Sequence, residues 1–156
     1  MRESLDQPIL LQSGEGTVLN VLGEKITCKV ASEDSGGRYS IIEEVSPPGG
    51  GPPPHIHHET DEIFYVLEGE YEIKCGEQTF VAKPGSLAAL PRGMPHTVCN
   101  IGDRPGRVLV MITPGQFEHF FREIDAQNEI AQVDPPKAME IASNHDVEFL
   151  PPNSEA

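Results

Sequence analysis

Basic residues are scarce in this chain: Lys and Arg number 11 against 25 Asp and Glu, a net charge of −14 over 156 residues. A surface of that sign repels a phosphate backbone or an anionic bilayer, so no nucleic-acid or membrane partner is expected. Long apolar runs are missing as well. Aliphatic stretches such as residues 108–112 fall far short of the ~20 residues a spanning helix needs. The opening MRESLDQPILLQSGEG has no basic segment followed by an apolar one, and the expectation is a cytoplasmic protein. Cysteine is sparse: Cys28, Cys75 and Cys99 form no C-x-x-C pair and read as buried free thiols in a reducing compartment. There is no Gly-rich phosphate loop opening a helix, no G-x-S-x-G elbow and no internal repeat.

Turn-forming residues, by contrast, are plentiful. Gly 15 and Pro 15 are spread along the chain rather than pooled, which implies many short strands. Apolar alternation and short apolar runs between turn clusters place nine strands at residues 17–22, 25–30, 38–45, 62–67, 70–75, 79–82, 86–90, 96–101 and 107–113. Such spacing argues for an all-β antiparallel barrel or sandwich over about residues 16–113. The run Ile63-Phe64-Tyr65-Val66-Leu67 does not alternate, so both of its faces need covering, either by a second sheet and an interior ligand cavity or by a partner subunit; a homodimer is expected.

At Thr113 the period changes from two to 3.6. Thr113-Pro114-Gly115-Gln116 reads as a capping box, and Phe117, Phe120, Phe121 and Ile124 form one stripe of an amphipathic helix expected to pack outside the barrel. His119 lies off that stripe and receives no role. Asp134-Pro135-Pro136 starts a second short helix through about Ser143, so residues 114–145 form a C-terminal helical segment, followed by a frayed tail at 151–156. The whole of 1–156 reads as one domain.

The chemistry-bearing residues fall in two clusters. In the first, Gly49 is followed by His55-Ile56-His57, Glu62 and Gly69; in the second, Gly85 by Pro91-Arg92-Gly93, His96 and Asn100. Alternate strand residues share a face, so His55 and His57 aim at one point. Glu62 has the opposite parity, and a bend over residues 58–61 must bring it back. His96 follows a tight turn and delivers a third imidazole from another strand. Three neutral imidazoles and one carboxylate suit one divalent Fe, Mn, Ni, Co, Cu or Zn ion and leave two octahedral positions open. His58 and Glu59 face away and serve as ligands only if the bend falls elsewhere. Phe64, Val66 and Val98 share parity with Glu62 or His96 and should line an apolar pocket for a small apolar or aromatic molecule.

These clusters resemble the paired signatures of the cupin superfamily, G-x5-H-x-H-x3,4-E-x6-G and G-x5-P-x-G-x2-H-x3-N, with every fixed position present. Pro-Pro-Pro-His-Ile-His-His, Phe-Tyr-Val-Leu-Glu-Gly and Leu-Pro-Arg-Gly-Met-Pro-His look like small monocupins of the quercetin 2,3-dioxygenase-like kind. The resemblance implies a jelly-roll-like antiparallel β-barrel with a metal in its mouth, commonly dimeric. It further implies a metal-dependent dioxygenase acting on a small phenolic or enol compound, with Glu62 also the catalytic base. Two other functions fit the same fold: a non-catalytic module that binds or senses a small molecule, and an isomerase or cyclase that uses the metal as a Lewis acid.

Overall fold

The structure, a computed structural model, describes residues 7–151. Of the expected tail at 151–156, all but Pro151 lies outside the described residues. In chain order the elements are β1 (Thr17–Val21), β2 (Glu24–Val30), α1 (Ser32–Ser35), β3 (Ser40–Ser46), β4 (His55–Ile56), β5 (Asp61–Glu68), β6 (Tyr71–Cys75), β7 (Gln78–Ala82), β8 (Leu87–Leu90), β9 (His96–Asn100), β10 (Gly106–Thr113), α2 (Glu118–Asn128), α3 (Pro135–Ala142) and β11 (Glu148–Phe149). Each of the nine expected strands is present.

The strands form two antiparallel sheets, ordered β1-β2-β3-β10-β5-β8 and β11-β4-β9-β6-β7. The jelly-roll-like class holds, but the two sheets face each other as a sandwich and are not hydrogen-bonded into a closed ring. Alternation decides what lies between them. Ile26, Ile42, Phe64, Val66, Val108, Val110 and Ile112 point inward from the larger sheet, and Tyr71, Ile73, Cys75 and Val98 from the smaller; all are buried. Burying each such aliphatic or aromatic side chain contributes about 1.5–3 kcal/mol. The outer face of β5 carries Ile63 and Tyr65, which lie level with Met111 and Leu109 on β10 and with Ala89 and Leu87 on β8. Tyr65, Leu87 and Met111 are exposed there.

Loops are pinned by the motif's turn residues. Asn100 donates its backbone N–H to Gly50 O (2.9 Å) and accepts from Gly49 N–H (2.8 Å), stapling the loop that leads to β4 against β9. Its side-chain amide donates to Ser46 O and Arg104 O. Gly51 has φ 140 and sits so close to β9 that a Cβ would collide with the Val98 carbonyl, so only glycine fits.

Between β2 and β3 the chain makes a one-turn helix, α1, closed by Gly36 in the left-handed region (φ 65). One local expectation needs correction. The capping box at Thr113 does not form, and α2 starts at Glu118 instead. Thr113 is still paired with Asp61 at the end of β10 and donates its hydroxyl to Arg38 O (2.9 Å). The buried Glu118 carboxylate accepts from Ser32 N–H (2.6 Å) and Gln116 N–H (3.0 Å), which fixes the approach to α2 from within the fold. The stripe itself is right: Phe117, Phe120, Phe121 and Ile124 are all buried. Asp134 accepts from Lys137 N–H (2.9 Å) and caps α3 with Pro at the first positions, as the sequence predicts. No helix among the described residues is long and apolar enough to cross a membrane.

Candidate metal centre

His55 opens the two-residue strand β4 and His57 directly follows it, Glu62 is the second residue of β5, and His96 is the first of β9. His55 pairs directly with His96 across the ladder. Residues 57–60 leave the extended path, and this bend reverses the parity so that Glu62 turns inward beside the histidines. One ligand atom from each of His55, His57, Glu62 and His96 lies within 4.8 Å of the other three, and all four residues are buried.

Each imidazole is oriented from behind. Nδ1 of His55 lies 2.8 Å from Pro53 O, Nδ1 of His57 2.7 Å from Asp146 O, and Nδ1 of His96 3.1 Å from Met94 O. A carbonyl oxygen only accepts, so Nδ1 carries the proton in all three rings and Nε2 is left to face the cluster. The Glu62 carboxylate meets two of those nitrogens: Oε2 is 2.9 Å from His96 Nε2, and Oε1 is 3.4 Å from His57 Nε2. A neutral Nε2 lone pair and a carboxylate repel at such a distance, so the contact needs either a proton on His96 or a cation between them. Burial pulls His96 down, but the hydrogen bond and charge of Glu62 outweigh it and raise the imidazole. Burial raises Glu62, yet the charges of His57 and His96 with the His96 hydrogen bond more than cancel this and hold the carboxyl at about 2. His55 is held near 3 by burial first and by His96 second, so it is a neutral donor. Three outward-anchored imidazoles and an ionised carboxylate converging in a buried space are a donor set that fits a divalent transition metal.

The cluster opens on a cavity of about 230 Å³. Phe64 and Val98 lie on its wall; Val66, one strand turn further, is packed in the core instead. Phe117, Phe120 and Phe121 of α2 also line it, with the Phe117 ring 4.4 Å edge-on from His57. The helix therefore closes the site rather than packing on the outside. Val147 and Phe149 add the C-terminal strand to the same wall. His58 and Glu59 are exposed, and His58 Nε2 contacts the Glu148 carboxylate (2.7 Å) instead of the cluster.

Sequence reasoning missed two cavity residues, Glu24 and Glu44. Their positions were readable in principle, since Glu44 stands in register between Ile42 and Ser46 on the inward face of β3. Burial raises Glu24 to about 7; burial, then the charges of Glu24 and Glu62, raises Glu44 well above the carboxylate range. A second acid–imidazole group, Glu33, Glu118 and His119, is committed elsewhere. Glu33 pairs with Arg122 (2.9 Å) and His119 (2.8 Å), and Glu118 caps the entry to α2.

Residues 42–112 match the family model described as "Cupin domain". The two-sheet jelly-roll-like fold agrees with that match, which covers a little under half of the chain. The chain is 28 % identical over 118 residues to quercetin 2,3-dioxygenase of Bacillus subtilis, a match covering 75 % of this chain and 34 % of that protein. It thus spans about a third of that relative's length. Among solved structures, KdgF from Halomonas sp. has a TM-score of 0.64 at 17 % identity, covering 72 % of this chain and 99 % of the other. The polyketide cyclase RemF of Streptomyces resistomycificus has a TM-score of 0.60 at 24 % identity, covering 69 % and 80 %. These two likenesses establish the shared fold alone.

Proposed function

We propose that His55, His57, Glu62 and His96 hold one divalent transition metal and that the protein is a metal-dependent dioxygenase of small phenolic or enol compounds. The observation that carries the metal is the outward Nδ1–H anchoring of three imidazoles, which leaves three Nε2 lone pairs and a carboxylate facing one point. The likeness to quercetin 2,3-dioxygenase supports the reaction class. A bound metal would supply a Lewis-acidic centre for an enolate or phenolate oxygen and, if redox-active, electrons for O₂. The chain's own residues do the rest. Glu62, ionised and buried, takes the hydroxyl proton of the substrate. Phe64, Val98, Phe117 and Phe121 hold an apolar ring and exclude water. At about 230 Å³ the cavity lies below the ~300–1,000 Å³ usual for ligand sites, which favours a compact substrate.

A second reading, a metal-dependent isomerase or cyclase, draws on Glu24 and Glu44. Carboxyls kept neutral on the cavity wall are proton donors, which an oxygenase does not need. Oxygen consumption separates the two. Protein loaded in turn with Fe, Mn, Ni and Co is mixed with a panel of enediols, catechols and flavonols in an oxygen electrode. Uptake with at least one pairing is expected; none with any pairing, alongside product formation under argon, would transfer the assignment to the second reading.

The face formed by the half-buried Ile63 and the exposed Tyr65, Leu87 and Met111 is proposed to bind a second copy of the chain, the covering that the non-alternating strand calls for. A cytoplasmic location is in keeping with three free cysteines. Residues 114–151 belong to the same single domain on this reading, because Val147, Phe149 and the α2 phenylalanines complete the cavity.

A further inference from the structure

We infer that Asp146 is a positioning residue of the metal centre, acting through the bend at 57–62 on Glu62 and His57. This inference rests on the reading that the cluster binds a metal. Asp146 lies well beyond residues 42–112 matched by the family model, in the connection between α3 and β11.

The parity argument shows why the bend needs an anchor. A regular strand through residues 57–62 would send Glu62 to the opposite face from His57. The bend exposes consecutive backbone donors, and one carboxylate receives them. Asp146 Oδ1 accepts from His58 N–H (2.9 Å), and both its oxygens accept from Glu59 N–H (3.1 Å). Thr60, buried at the same point, donates its hydroxyl to Asp146 Oδ2 (3.0 Å). Hydrogen bonds to an ionised acceptor are roughly twice as strong as neutral ones, so this is the firmest hold the bend has from that side. The backbone carbonyl of the same residue accepts from His57 Nδ1–H (2.7 Å), fixing the tautomer and plane of one donor while the side chain fixes the path to another.

Asp146 is itself held in place. Val147 beside it is buried, and Glu148 and Phe149 pair with Ile56 and His55 of β4. On its other flank the bend is tied by Asp61, which accepts from Arg92 N (2.9 Å), Nε (3.1 Å) and Nη2 (3.2 Å), an exposed pair. The Asp146 oxygens are occupied by the bend and are absent from the donor cluster, so its role runs through other residues.

The test compares the full chain with Asp146→Ala, Asp146→Asn, Glu62→Gln, the double variant Asp146→Ala/Glu62→Gln, and Glu148→Ala as a control for loosening β11. Affinity for Zn²⁺ and Co²⁺ is measured by competition with a chromophoric chelator, and the visible spectrum of the Co²⁺ form reports coordination. Asp146→Ala should weaken binding by about 10–100-fold and shift the cobalt bands towards those of Glu62→Gln. The double variant should bind within about twofold of Glu62→Gln alone, because the two residues act as one unit. Glu148→Ala should stay within about twofold of the parent. If Asp146→Ala fails to fold by circular dichroism, Asp146→Asn, which keeps the shape and loses the charge, carries the same expectation at smaller size. Parental affinity and spectrum in the Asp146 variants, or losses that multiply in the double variant, would overturn the role of Asp146 and leave the metal centre standing. A parent chain that binds neither ion would overturn the centre and this role with it.

Discussion

Replacing Glu24 by Gln should make the protein more stable, and only above a definite pH. Glu24 faces the cavity beside Val21 and Ile26, and its Oε1 is buried without a hydrogen-bond partner. Burial moves its carboxyl from 4.5 to about 7, so between those values the folded protein keeps a proton that the unfolded chain has released. Stability from this group is therefore intact below about 4.5, declines as pH rises, and the loss is complete above about 7. At about 1.4 kcal/mol per pH unit the full displacement is worth about 3 kcal/mol, and partial exposure with charge sharing between Glu24 and Glu44 reduces this to about 1–3 kcal/mol. Gln cannot ionise and escapes the penalty. Urea denaturation of metal-stripped protein should show Glu24→Gln more stable than the parent by that amount at pH 8, with the difference closing by pH 5. A variant that is less stable at pH 8, or that differs equally at both pH values, would refute the reasoning.

Metal content by elemental analysis should drop sharply in both His57→Ala and His96→Ala while circular dichroism stays β-rich; metal retained in both would remove the four-donor assignment. Phe120→Ala deletes a buried ring that already borders the cavity, so its cost should sit near the low end for such truncations, about 3 kcal/mol, read as a Tm lowered by roughly 6–12 °C. Light scattering should report twice the chain mass for the parent and the single-chain mass for Tyr65→Glu/Leu87→Glu; a parent that is monomeric at high concentration would remove the proposed interface.

Features that depend on local periodicity were legible without coordinates. Ile26, Cys28 and Val30, or Tyr71, Ile73 and Cys75, declare a strand because a sheet face is read every second residue. The bend before Glu62 was legible for the same reason, since its parity conflicts with that of His57. The start of α2 was not, because Thr113-x-x-Gln116 satisfies the local cap pattern while the β10 ladder still holds Thr113 and Glu118 supplies the competing hydrogen bonds from within the fold. Strands of two residues such as β4 and β11 have no period to read. Asp146 carries no local signal at all, because it matters through residues 57–60.

The bond between His57 and Asp146 joins residues 89 apart in the chain. During synthesis all four donors leave the ribosome well before the segment that orients one of them and ties their bend. A nascent chain can thus display loosely tethered imidazoles before the residue that braces their bend has been made.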